Sequence, residues 1–283
     1  MFKSPLQDTS MCRKPFFQPL VCLSLPHLPK AMLFKLSVAI SIALFAVASP
    51  LREQNVEKRV KASVYTKCTV PNTAALTFDD GPYDYIYDIS NILKQNGATA
   101  TFFFNGNNYH CIYDQESASR VKFVYDQGHH VASHTWGHKD LSTLNWDQIH
   151  SEMWMIEQAL MRITGSYPAF MRPPYGKYND TVLEASGIRG QEVVMWDFDS
   201  GDSAGVSSQD SRNRYLNIAN AHPDTLLAVN HETRASAVYE VLPYAIQQLK
   251  AKGYQLVSVA ECLGKPKYQW IGVPQQRTVE WHC

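Results

Sequence analysis

From Lys67 to Val259 the chain repeats one unit: apolar residues stepping by three and four, then a glycine, then a short run apolar on both faces. Ile86, Ile89, Ile92 and Leu93 share a helical face, Gly97 follows, and 99–104 is rich in β-formers. Gly128 precedes 130–133. Trp146, Ile149, Met153, Ile156, Leu160 and Ile163 form a second stripe, closed by Gly165 and followed by 169–171. Gly187 and Gly190 precede 192–198, and Leu242, Ala245, Ile246 and Leu249 lead through Gly253 to 255–259. A glycine just past a helix supplies the left-handed cap that ends it. Runs 74–78 and 226–230 complete about seven strands. Strands alternating with helices predict βαβ units and a parallel sheet, and burial on both faces makes each strand a continuous apolar run. The expected fold class is α/β, either a barrel of seven or eight units or a doubly wound sheet. No glycine-rich phosphate loop follows a strand, so no nucleotide cofactor is expected.

The first 59 residues break this pattern. Prolines at 5, 15, 19, 26 and 29 interrupt residues 1–31. Met32 then opens a segment with one cation, Lys35, an apolar stretch 36–48 and the small-residue pattern Ala46-Val47-Ala48. That is the layout of a secretory signal peptide, too short to span a bilayer. We therefore expect 1–31 to be a gene-model extension, 32–48 a signal peptide, and 49–59 a propeptide ending at Lys58-Arg59, unless that pair is only a solvated charge pair. Residues 60–283 form the single expected domain, secreted to the extracellular space or cell wall. No run within it reaches the roughly 18 apolar residues of a spanning helix, so no membrane anchor is expected.

Charge and cysteines narrow the reading. Lys+Arg and Asp+Glu are both 26, a formal net charge of +0, without the basic footprint of a nucleic-acid binder. Cys12 and Cys22 lie in the leading segment, leaving Cys68, Cys111, Cys262 and Cys283. In a secreted chain four cysteines imply two disulfides, in any of three pairings.

Polar clusters stand at the ends of the strands. Asp79-Asp80-Gly81-Pro82 follows 74–78, and His134-Thr135-Trp136-Gly137-His138 follows 130–133. Arg172-Pro173-Pro174-Tyr175 follows 169–171, Asp199-Ser200-Gly201-Asp202 ends 192–198, and His231-Glu232 ends 226–230. In a parallel barrel the C-terminal strand ends share one face, where active sites lie. One Asp with two His suits Zn²⁺ and leaves positions for water and substrate. Adjacent Asp79 and Asp80 allow one carboxylate on a metal and one holding a proton. A histidine elsewhere in the site can protonate a leaving group, and an arginine can hold a basic carboxylate in place. His129, His130, His150 and His222 have no such context and read as structural or exposed.

Thr77-Phe78-Asp79-Asp80-Gly81-Pro82, His134-Thr135-Trp136-Gly137-His138 and Arg172-Pro173-Pro174-Tyr175 resemble the first three motifs of the NodB-type polysaccharide deacetylases, carbohydrate esterase family four, in that family's order. The resemblance runs from about Ala74 to Leu263 and is greatest to secreted fungal chitin deacetylases. It implies a distorted (β/α) barrel of fewer than eight units. It implies Asp79 as catalytic base, Asp80, His134 and His138 as ligands of Zn²⁺ (Co²⁺ as a substitute), and Arg172 as the residue orienting the base. The Tyr175 N–H would help hold the oxyanion, His231 would be the general acid, and Asp202 would orient and charge it. Ser203 stands where the family has an aromatic, and Val229-Asn230-His231 where it has Leu-x-His, so the acetyl pocket wall departs from the family pattern. The implied reaction is removal of N-acetyl groups from chitin or chitooligosaccharides by a monomeric enzyme. The alternatives are O-deacetylation of xylan, deacetylation of peptidoglycan, or a non-catalytic wall-binding barrel.

Trp136, Tyr175 and Val229 are expected at the substrate, with Tyr109 and Tyr113 as further stacking candidates. Asn179-Asp180-Thr181 is a glycosylation sequon or a helix cap. Cys68 precedes the first strand and Cys262 follows the last, and a closed barrel makes those strands neighbours. We therefore expect Cys68–Cys262, and Cys111–Cys283 alongside it.

Overall fold

The structure is a computed structural model that describes residues 60–283. The extension, signal-peptide and propeptide expectations at 1–59 lie outside the described residues. The strands are β1 (Val64–Tyr65), β2 (Thr73–Gly81), β3 (Thr101–Phe104), β4 (His130–Ser133), β5 (Ser166–Pro168), β6 (Phe170–Met171), β7 (Glu192–Val194), β8 (Phe198–Asp199), β9 (Thr225–His231), β10 (Gln255–Val257) and β11 (Tyr268–Ile271). The helices are α1 (Ile86–Gln95), α2 (Gln115–Asp126), α3 (Trp146–Thr164), α4 (Asp180–Ile188), α5 (Ser208–Ala221), α6 (Leu242–Ala251) and α7 (Val259–Leu263).

One parallel sheet runs β1-β7-β6-β4-β3-β2-β9-β8, with β10 also paired to β2. β5 and β11 form a separate antiparallel ribbon. This is the expected parallel α/β barrel in half-barrel form: no ladder joins β1 to β8. The single strand expected at 192–198 is two. β7 pairs with β6 and β1 while β8 pairs with β9, so the chain itself crosses the gap at 195–197. Met195 N–H donates to Tyr65 O and Asp197 N–H to Leu227 O, bonding the crossing to both sides. β10 likewise stops at Val257, because Ser258 and Glu261 form a capping box that starts α7.

Strand alternation sorts the core into layers. Ala74, Leu76 and Phe78 face the helices, where they meet Ile86, Ile89, Leu93, Ile246 and Leu249. Ala75, Phe103, Ala132, Phe170, Val194 and Leu227 face inward and plug the barrel. On β2 that inward row continues through Thr77 to Asp79, and on β9 through Val229 to His231. Leu256 lies beside Ala74, so the first and last long segments are neighbours, and Cys68–Cys262 links their flanks. They meet within the sheet rather than at a closing seam. Cys111–Cys283 ties the C-terminus to the β3–α2 connection.

Candidate active site

Successive strand residues point to opposite faces, so Asp79 and Asp80 on a regular strand could not share a site. The β2–β3 register shifts between Asp79 and Gly81, and Asp80 adopts the left-handed φ of 75°. A bulge of this kind re-aims a side chain. Both carboxylates therefore reach one cavity of about 410 Å³ at the C-terminal end of the sheet. It is lined by Asp79, Asp80, His134, His138, Pro173, Tyr175, Gly176, Trp196, Asp199, Ser203, Val229 and His231.

Asp79 is buried beside Arg172, which is wholly buried. One guanidinium nitrogen donates to Asp79 Oδ1 at 2.8 Å and to Thr77 Oγ1 at 2.5 Å. The others donate to the carbonyls of Val194 and Met195, at 3.2 and 2.9 Å. Burial pulls the Arg172 pKa down and the Asp79 carboxylate pushes back. Every donor direction used is fixed, so Asp79 has one orientation. His134 Nε2 comes within 4.0 Å of its Oδ2.

Asp80, His134 and His138 converge, their ligand atoms all within 4.8 Å of one another. Asp80 Oδ1 lies 3.5 Å from His134 Nε2 and 3.2 Å from His138 Nε2, and this buried oxygen meets no other donor among the described residues. His134 Nδ1 bonds Arg172 O at 2.7 Å, which makes it the protonated nitrogen and leaves Nε2 as a lone pair facing Asp80. Two imidazole lone pairs and a carboxylate around one point fit a divalent metal ion, which would satisfy the bare Asp80 oxygen. Burial raises the Asp80 pKa, but when the two imidazoles are protonated instead of holding an ion, their hydrogen bonds and charge outweigh it and hold the carboxyl well below the usual range.

His231 sits on β9 at the rung of Asp79. Its Nδ1 bonds Asp202 Oδ1 at 2.8 Å, and its backbone N–H donates to Asp202 Oδ2 at 2.7 Å, leaving Nε2 for the cavity. Burial lowers the His231 pKa, but the Asp202 hydrogen bond and charge, aided by Asp79 and Asp80, outweigh it and hold it at about 9. Next along the chain, Glu232 is wholly buried, and burial pushes its carboxyl well above the ordinary value.

The remaining expectations divide. Tyr175 lines the cavity in a left-handed turn, φ 59°, with its ring 4.7 Å from that of His138, and Val229 and Ser203 are on the wall. Trp136 is not among the lining residues. Its ring covers Gly106, where a Cβ would come 1.9 Å from Trp136 Cε3, and tilts against Tyr113. Tyr113 is itself buried and accepts from Arg162. Tyr109 is exposed and packs on Tyr83. Asn179 caps α4 by accepting from Val182 N–H, and its Nδ2 donates to Ser142 O. His129 and His130 are buried and hydrogen-bonded away from the site. Asp199 belongs to the polar cluster expected after 192–198, without a role of its own. Trp196 was not anticipated: it lies inside what reads as one strand and reaches the cavity because that strand breaks.

The family model for polysaccharide deacetylase matches residues 66–206. The chain is 38% identical over 231 residues to a chitin deacetylase of Pestalotiopsis sp, covering 80% of this chain and 74% of that one. It is 32% identical over 245 residues to the chitin deacetylase of Colletotrichum lindemuthianum, covering 84% and 97%. The solved structure of a chitin deacetylase from that fungal pathogen superposes with a TM-score of 0.70 over 75% of this chain and 96% of that one.

Proposed function

We propose, from the premise that this chain belongs to the polysaccharide deacetylase family, that it is a secreted hydrolase removing N-acetyl groups from N-acetylglucosamine residues of chitin or chitooligosaccharides. The observation that carries this is the junction of two devices in one cavity: a metal-type cluster, Asp80, His134 and His138, and a base–acid pair, Asp79 and His231, on adjacent strands at one rung. Similarity to chitin deacetylases from two fungi supports chitin over peptidoglycan or acetylated xylan.

Asp80, His134 and His138 would hold the ion, and an Asp-His-His set favours Zn²⁺, with Co²⁺ as a substitute. When bound, such an ion supplies Lewis acidity, polarising the amide carbonyl and acidifying water. Asp79 takes the proton of the attacking water, held ready by Arg172. The Tyr175 N–H donates to the oxygen that becomes negative as the carbonyl turns tetrahedral. His231 Nε2–H protonates the departing amine, which as an anion would not leave, and Asp202 keeps that imidazole charged. Acetate and the free amine result. Ser203 and Val229 shape the acetyl wall. The complete base, acid and metal cluster weigh against a non-catalytic barrel.

Acetate release from chitooligosaccharides, acetylated xylan and peptidoglycan, with and without chelator, tests the reading. We expect release from chitooligosaccharides, abolished by chelator and restored by Zn²⁺. Asp79→Asn should lose turnover by about 10²–10⁴-fold while still binding Zn²⁺. Release from xylan or peptidoglycan alone, or release unaffected by metal removal, overturns it.

A further inference from the structure

Resting on that reading of the metal cluster, we infer that two buried glutamates outside the cavity, Glu152 and Glu232, are positioning residues that hold the metal-bearing backbone in its strained shape. Among the described residues six non-glycine positions have positive φ, and three of them, Asp80 (75°), Thr135 (71°) and His138 (52°), are metal ligands or lie between them. Left-handed backbone is costly for a residue with a Cβ and persists only where the surroundings over-determine it. The Asn105 side chain and the Gly106 and Asn107 N–H groups hold the carbonyls of the segment between the two histidines, and the two glutamates hold its N–H groups and those beside Asp80.

Each clamps one metal-bearing segment twice. Glu152, on α3 and 2% exposed, accepts the Gly137 N–H through Oε2 at 2.6 Å, while its carbonyl accepts the Trp136 N–H at 2.9 Å. Both donors lie between His134 and His138. Glu232, at the end of β9 and 0% exposed, accepts the Tyr83 N–H through Oε1 at 2.6 Å, while its own N–H donates to Asp79 O at 3.3 Å. Those two bonds bracket Asp80. Its carboxyl packs so closely under the turn that a Cβ on Gly81 would lie 2.0 Å from Oε1. Neither glutamate lines the cavity, so each acts through the backbone of the ligands. The second Glu152 oxygen pairs with Lys139 at 2.8 Å, whose side chain is 61% exposed and can turn to water.

The test reads metal affinity, not turnover. Zn²⁺ affinity of the full chain is measured by competition with a chromogenic chelator, beside far-UV circular dichroism and melting of the metal-free protein. Glu152→Ala and Glu232→Ala leave a backbone N–H without its acceptor, and each should weaken Zn²⁺ binding at least tenfold. Glu152→Gln and Glu232→Gln keep an accepting Oε1 and should stay within about threefold of the parent. Should either alanine variant fail to fold, Glu152→Asp and Glu232→Asp, one methylene too short to reach, should weaken binding in the same way. Shortened variants that fold and bind Zn²⁺ like the parent overturn the inference. So do glutamine variants as weak as alanine, or shortened variants that never fold, since the role is then general stability. A parent that binds no Zn²⁺ overturns the metal-centre reading itself.

Discussion

An imidazole free in water gives up its proton near pH 6.5. At His231 the same ring holds it to about pH 9, because burial is outweighed by the Asp202 carboxylate bonded to Nδ1 and by the charges of Asp79 and Asp80. Protonation then favours folding: the contribution is complete below about pH 6.5, fades as pH rises, and is lost above about 9. As a general acid the ring must be charged, so kcat/KM on chitooligosaccharides should fall with an alkaline limb near pH 9. Asp202→Asn removes the largest stabilising influence on the imidazolium and should move that limb down by about one unit or more. The pH–rate profiles of both proteins decide this, and an unmoved limb rejects His231 as the acid. Arg172 and Asp79 show the other side of burial. Removing one charge of such a buried pair strands the other and typically costs about 3–5 kcal/mol, so both Asp79→Asn and Arg172→Ala require unfolding measurements beside the kinetics, and Asp79→Asn is the milder because it keeps an oxygen that accepts from the guanidinium.

β2 is an ordinary buried strand for six residues and a device for the last three. Thr73 to Phe78 follow the period of two, and then the bulge and the left-handed Asp80 turn two neighbouring acids toward one cavity. Gly81 is needed for space rather than for backbone freedom. Glu232 occupies the volume its side chain would take. Gly81→Ala should therefore destabilise the protein by roughly 1–3 kcal/mol or more by overpacking. Gly97→Ala, where a Cβ meets nothing within 4 Å but φ is +62°, should cost only about 1 kcal/mol. Urea unfolding of the two variants separates them, and equal losses reject the steric account. α3 shows an element set locally: Asn145 and Gln148 form its capping box and Gly165 its left-handed end, at the positions its apolar stripe requires.

Across the described molecule, two disulfides span long stretches of sequence, 194 and 172 residues. Cys68–Cys262 joins the entry of β2 to α7 and packs in the same buried cluster as the inward-facing strand residues, with both cysteines buried. Cross-links over such loops restrict the unfolded chain most. Replacing both Cys68 and Cys262 by Ala should cost about 2–5 kcal/mol while leaving Zn²⁺ binding by the folded protein intact, since the bridge lies away from the cavity. Unfolding of the double variant and of the reduced parent measures it, and a loss below about 1 kcal/mol contradicts it. Cys111–Cys283 holds the tail over the β3–α2 connection, whose Gly106 and Asn107 N–H groups donate to Thr135 and Trp136 carbonyls. Through them the chain terminus braces the segment that carries both histidines.

Helix stripes, their glycine caps and the apolar strands are local signals, so the parallel α/β order was legible from residues alone. So was the run of polar clusters at strand ends, because a parallel sheet sends every C-terminal end to one face. Motif resemblance added the expected roles of Asp79, Asp80, His134, His138, Arg172 and His231, and the structure brings those six side chains together. Cysteine count alone left three pairings; the expected neighbouring of the first and last strands chose Cys68–Cys262 with Cys111–Cys283, and the packing of β10 beside β2 and of the tail beside the β3–α2 connection realises it. The break between β7 and β8, which puts Trp196 at the cavity, depends on bonds to Tyr65 and Leu227 far along the chain. Trp136, between His134 and His138 in sequence, turns away to cover Gly106. Periodicity reports which face a residue occupies while the backbone is regular. Where a bulge, a crossing or a left-handed turn redirects it, the direction is set by partners distant in sequence, and those are the places where this site is built.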